Sequence, residues 1–250
     1  MLRTLLQDQS EPQDPDFHRA QEAIRQFRNA LDGIIRRQRR EETRHRTHPA
    51  SPGGRLDREA LIRLELLANG FIDALVELEE SIHAAARFAK SVHSAFVDEM
   101  GEEELIAYRL HLYFYKNGFI RLFSVLDKLG YFINELYGLR TEKVKPRFSY
   151  YTVLRQMKAR HADPALEQKL FELKIAYADT MQRLRRLRNI EIHNLNMEMI
   201  DDMFRAKQNS LQDGRQKVEP LSENMRDLER GFEKVCRAVA VVFNHAQTRL

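Results

Sequence analysis

Residues 102–138 read EEELIAYRLHLYFYKNGFIRLFSVLDKLGYFINELYG, and the spacing of their apolar residues decides the fold. Leu105, Tyr108, Leu112, Tyr115, Phe119, Leu122, Leu126, Leu129, Ile133 and Leu136 recur every three or four residues, the repeat of one helix face. Leu110, Phe114, Ile120, Phe123 and Phe132 lie off that stripe. A helix apolar on most sides is buried on most sides, so this one belongs at the centre of a bundle. Glu102, Glu103 and Glu104 suit the positive end of a helix, and Gly138 supplies its stop.

The same spacing extends outward in both directions. Asp14-Pro15-Asp16 pairs an N-cap with a first-turn proline, and Phe17, Ala20, Ile24, Phe27, Leu31 and Ile34 follow as one stripe. That helix is predicted to fray in the run Arg36, Arg37, Arg39, Arg40, Arg44 and Arg46. A loop at 48–54 separates it from a second helix, capped by Asp57, whose stripe runs from Leu61 to Phe96. Such a helix of about forty residues spans roughly 60 Å. A short helix is predicted from about Tyr150 to Arg160, and Asp163-Pro164 opens another that continues through Leu187. The polar stretch 204–218 reads as a connector with a turn at Asp213-Gly214, and Pro220 opens the last helix.

None of the seven prolines falls between Gly53 and Lys145, and ten glycines are too few for the turns of a strand-rich fold. The chain is therefore read as all-α, an antiparallel helical bundle with an N-terminal helical extension. Residues 1–56 form the first helix and a basic linker, and 57–250 form the bundle. One cysteine, Cys236, excludes an intramolecular disulfide framework and a multi-cysteine zinc site. No apolar run approaches the roughly 18–20 residues of a membrane span, and the opening residues carry no signal-peptide pattern. A cytoplasmic protein away from the membrane is expected, with no metal and no cofactor. Forty-one basic residues against thirty-seven acidic ones leave a net charge of +4, a small excess for a dedicated nucleic-acid binder.

The passage richest in chemistry is Arg185-Arg186-Leu187-Arg188-Asn189-Ile190-Glu191-Ile192-His193-Asn194. It places an arginine five positions before a histidine. Thirty arginines and nine histidines in 250 residues produce about one such spacing by chance, and the chain holds two, at 40–45 and 188–193. Context separates them. The second copy closes a strongly periodic helix, and a polar Asn189 follows its arginine.

At 188–193, with Phe123–Leu139 as the preceding aromatic-rich helix, the chain resembles the HEPN superfamily (higher eukaryotes and prokaryotes nucleotide-binding) over roughly 102–248. The resemblance implies a metal-independent endoribonuclease. It also implies a homodimer in which the arginine–histidine motifs of two chains meet in one cleft. Arg188 and His193 take the motif positions and Asn189 the polar position beside the arginine. Non-catalytic members bind RNA, a nucleotide or a protein partner as scaffolds, and a cognate antitoxin is among the partners the resemblance implies.

The residues suit that chemistry. A histidine titrating near neutrality can activate a ribose 2′-hydroxyl or protonate a leaving oxygen, and a guanidinium can stabilise charge on the phosphate. Positions five apart lie about 140° around a regular helix, so Arg188 and His193 do not share a face. Either the helix breaks near His193, or Arg188 of one chain serves the site of the other. The plainer roles are a C-terminal helix histidine and an Arg188–Glu191 ion pair. Asp127, in an otherwise apolar helix, is a supporting candidate to orient Arg188 or to meet another cation. Glu191 is a second supporting candidate. Arg185, Arg186, Lys143, Lys145 and Arg147 are candidate RNA contacts. The loop aromatics Phe148, Tyr150 and Tyr151 serve either as base-stacking platforms or, more plainly, as anchors for the short helix.

Overall fold

The computed structural model describes residues 14–44, 58–144, 148–192, 211–212 and 215–250. Seven α-helices occur among them: α1 (Pro15–Arg44), α2 (Arg58–Ala89), α3 (Glu102–Leu136), α4 (Tyr150–Ala159), α5 (Pro164–Ala176), α6 (Ala178–Ile192) and α7 (Leu221–Gln247). Two 3-10 turns, Val97–Glu99 and Thr141–Lys143, and a two-residue antiparallel pair, Leu211–Gln212 with Arg215–Gln216, complete the described elements. The all-α reading holds. Asp57, the 48–54 loop, Lys145, Arg147, His193 and the Asp213-Gly214 turn lie outside the described residues.

The helix starts follow the sequence. Asp14 Oδ1 accepts from the N–H groups of Asp16 (2.8 Å) and Phe17 (3.2 Å), and Asp163 Oδ1 accepts from Leu166 (3.0 Å). Ser149 and Thr152 form a reciprocal capping box at the start of α4. Three boundaries differ. α1 continues to Arg44 instead of fraying in the arginine run. α2 ends at Ala89, short of Phe96. Beyond it the N–H groups of His93 and Ser94 bond the Glu104 carboxylate at 2.6 and 2.7 Å, and the Ala95 carbonyl accepts from Val218 at 2.9 Å. These partners replace the helical ones, so the apolar stripe outlasts the helix. The helix expected from Pro164 through Leu187 is two, α5 and α6, interrupted at the buried Tyr177.

The chain divides into two compact units, and α2, α3 and α7 contribute to both. The described residues of the first lie within 76–123 and 177–234. In it a strap at 215–218 lies on the 95–99 segment. Arg215 forks onto Asp98 (2.8 and 3.0 Å), reaches Glu99 (2.8 Å) and covers the Phe96 ring. The second comprises 14–75, 124–176 and 235–250. Its core is a phenylalanine cluster: Phe27 of α1 and Phe71 of α2 each meet both Phe132 of α3 and Phe243 of α7, with centroids 5.2–6.3 Å apart. The first helix is thus built into this core, and Asp16 holds Arg237 of α7 at 2.8 Å. Phe148 stacks on Tyr131 at 3.9 Å and Tyr150 is buried, so these two aromatics anchor α4. Gly130 makes that approach possible, since a Cβ there would sit 2.9 Å from the Tyr150 Cα. No described helix is long and apolar enough to cross a membrane.

Candidate functional site

The motif residues that the structure describes lie on α6, in the first unit. Buried Thr180, Met181 and Leu184 seat the helix, and Arg183 clamps it to α7 through a fork onto Asp227, both bonds 2.6 Å. That leaves the last turn half-buried at Arg188 and Asn189, with Glu191 and Ile192 exposed. α6 is described to Ile192, one residue short of His193, which lies outside the described residues.

The Arg188 guanidinium sits over the Phe123 ring, 5.5 Å from its centroid, and Nη1 donates to Asn189 Oδ1 at 3.1 Å. It meets no carboxylate among the described residues. The ion pair to Glu191 that would make Arg188 a plain surface residue does not form. Glu191 instead accepts from Lys116 Nζ at 2.9 Å. Lys116 and Phe123 are seven residues apart, two turns along one side of α3, and the motif turn rests on that side. Apart from the Asn189 bond, the guanidinium meets the ring and no carboxylate among the described residues. A cation–π contact of this kind is worth about 0.5–1 kcal/mol at a partly exposed site.

The remaining candidates fall in several places. Arg185 and Arg186 are exposed on α6. Asp127 belongs to the second unit, where its Oδ1 accepts from the Tyr150 N–H at 2.9 Å and so meets the positive end of α4. Lys143 is exposed in the 3-10 turn of the same unit, while Lys145 and Arg147 lie outside the described residues. Two residues of the site are not legible in the motif itself, Lys116 and Phe123. Phe123 stands off the main α3 stripe, which is the one sequence sign that it has a second partner.

The family model of the Cthe2314-like HEPN proteins matches residues 67–247. No curated protein and no solved structure matches the chain. The match begins within α2, earlier than the 102–248 over which the motif carries the resemblance, and contains all of α3 to α7. It spans well over half of the 250 residues, with Arg188 and His193 inside it. The chain belongs to the Cthe2314-like HEPN family.

Proposed function

We propose that the protein is a metal-independent endoribonuclease of the cytoplasm, acting as a homodimer in which Arg188 of one chain serves the site holding His193 of the other. The observation that carries this reading is the state of Arg188. It is a half-buried cation, seated over Phe123 and bonded to Asn189, whose nearest acid in sequence is occupied by Lys116. An oriented guanidinium without a carboxylate is suited to a phosphodiester.

In the reaction the ribose 2′-oxygen attacks phosphorus as a histidine removes its proton. The bond to the 5′-oxygen breaks, and a second histidine supplies the proton that oxygen needs. A dimer brings both histidines from one motif. The products are a 2′,3′-cyclic phosphate and a 5′-hydroxyl. Arg185 and Arg186, exposed one turn earlier on α6, are placed to meet flanking phosphates.

The test is cleavage of single-stranded and structured RNA in excess chelator. Wild-type protein leaves cyclic phosphate ends, and His193→Ala leaves the RNA intact. Adding excess His193→Ala chains to wild-type protein suppresses cleavage if the site is composite, since a mixed dimer holds one of the two histidines. Cleavage that survives His193→Ala defeats the proposal. RNA binding with no cleavage by the wild type would mark a non-catalytic module.

A further inference from the structure

The second unit contains a cavity of about 1060 Å³ that the motif does not touch. Five arginines line it, Arg37, Arg63, Arg140, Arg160 and Arg249, against the two glutamates Glu135 and Glu142. Most of these charges have partners. Arg63 bonds Glu135 at 2.9 Å, Arg249 reaches Asp163 at 3.2 Å and covers the Tyr137 ring, and Arg160 reaches the Gly138 carbonyl at 3.5 Å. Glu142 accepts from the Asn134 amide at 3.2 Å. Arg37 and Arg140 are exposed into the cavity and have no acidic partner among the described residues.

Cations often gather at helix C-termini to cap loose carbonyls, and α3 ends here. That need is already met by the backbone. Tyr137, Gly138 and Leu139 donate to the carbonyls of Ile133 (3.1 Å), Glu135 (3.2 Å) and Asn134 (3.0 Å), with Gly138 at φ +56°. Arg140 is therefore not needed as a cap. It is also held at φ 51°, ψ 43°, the left-handed region that side chains avoid at a cost of order 1–2 kcal/mol. Asn134 Oδ1 locks this conformation by accepting from the N–H of the buried Thr141 at 3.0 Å. The chain tolerates the strain and leaves the guanidinium on the cavity wall.

We propose that this cavity binds a small ligand through clustered phosphate groups. Guanidinium forks match phosphate oxygens in pairs, and Arg37 and Arg140 offer two forks, with Arg160 lining the same cavity. A single phosphate fills little of the space. Several phosphates on one molecule match both the volume and the excess of positive charge. Ile34, Leu61 and Leu139 give the cavity an apolar wall against which an organic part can rest.

The experiment is titration calorimetry of the full chain, without added metal, using inorganic triphosphate, inositol hexakisphosphate and adenosine triphosphate. Inorganic monophosphate serves as comparator. Saturable binding at one site per chain is expected, tighter than for monophosphate. Equal affinity for the three ligands means that the phosphates alone are read, and tighter binding of the nucleotide assigns the apolar wall to the base. Arg140→Gly is the informative variant, because glycine adopts the left-handed conformation freely. It should melt no lower than wild type yet bind about tenfold or more weakly, the loss of one charge-assisted contact. Arg37→Ala should weaken binding further. Absence of saturable binding overturns the proposal. So does binding that Arg140→Gly and Arg37→Ala leave unchanged, or binding lost instead in Arg185→Ala.

Discussion

Replacing Asp163 tests how the second unit is fastened. Its side chain is 12% exposed and carries four hydrogen bonds. Oδ1 caps α5 through Leu166 (3.0 Å), and Oδ2 accepts from His245 Nε2 (2.6 Å), Tyr137 Oη (2.9 Å) and Arg249 Nη1 (3.2 Å). In Asp163→Ala the cap accounts for about 1 kcal/mol. The bonds to His245 and Tyr137 add about 1 kcal/mol each, since both donors can partly regain water. The well-exposed Arg249 adds little. The sum, about 3 kcal/mol, lowers the thermal midpoint of a chain this size by roughly 6–12 °C. Asp163→Asn keeps the cap and loses the anion, so it should fall about half as far.

The pH dependence of that gap is a second readout. Burial raises the Asp163 carboxyl, but the bonds from Leu166, His245 and Tyr137 outweigh it and hold the group below its ordinary value. A carboxyl lowered in the folded state stabilises fully above its unfolded pKa, about 3.9, and loses that contribution as pH falls through the folded value. Circular dichroism melts should therefore show the wild type and Asp163→Asn converging below about pH 4. An Asp163→Ala shift under about 2 °C, or a gap to Asp163→Asn undiminished at acid pH, would refute the reasoning.

Other substitutions probe the helix contacts and the motif. Gly130→Ala places a Cβ 2.9 Å from the Tyr150 backbone, and urea unfolding should show a loss of about 1–3 kcal/mol despite alanine's better helix propensity. Lys234 is 1% exposed, and burial pushes its amine down to about 7. The unfolded chain then binds more protons between about pH 7 and 10, so stability rises with pH across that window. Lys234→Met should flatten the rise and stabilise most below pH 7, which melts across a pH series will check. Arg188→Lys keeps the charge but loses the planar fork over Phe123. Cleavage rates about 10²–10³ lower, with a melting point within a few degrees of wild type, are expected.

Apolar spacing alone located most of the helices, because burial repeats with the helix turn. The stripes on α1, α2, α3 and α7 are the buried faces, and the Asp-Pro pairs at 14–15 and 163–164 sit where the helices begin. The early end of α2 was not legible, since its cause is a carboxylate fifteen residues past the helix end, Glu104, and a strap more than a hundred residues on. Nor was the interruption at Tyr177, which neither proline nor glycine marks. At the site, the sequence singled out Arg188 and Asn189 by adjacency. It left open whether Glu191 or another group would take the arginine, because a local acid and a distant ring look alike without coordinates. Lys116 and Phe123 resolve that choice, and both come from the helix whose apolar residues fixed the fold.

The phenylalanine cluster has a consequence for biosynthesis. Phe27 and Phe243 touch, although 216 residues of chain separate them, and Asp16 holds Arg237. Contacts between such distant positions carry a high loop-closure cost and slow the folding of the unit that needs them. During translation α1 emerges before α7 and has no partner on it until the 216 residues from Phe27 to Phe243 have been made. Its stripe of Phe17, Ile24, Phe27 and Leu31 lacks the cover that α7 supplies for that interval. A ribosome stalled anywhere before α7 would hold out a sticky amphipathic helix, a natural client for a holding chaperone.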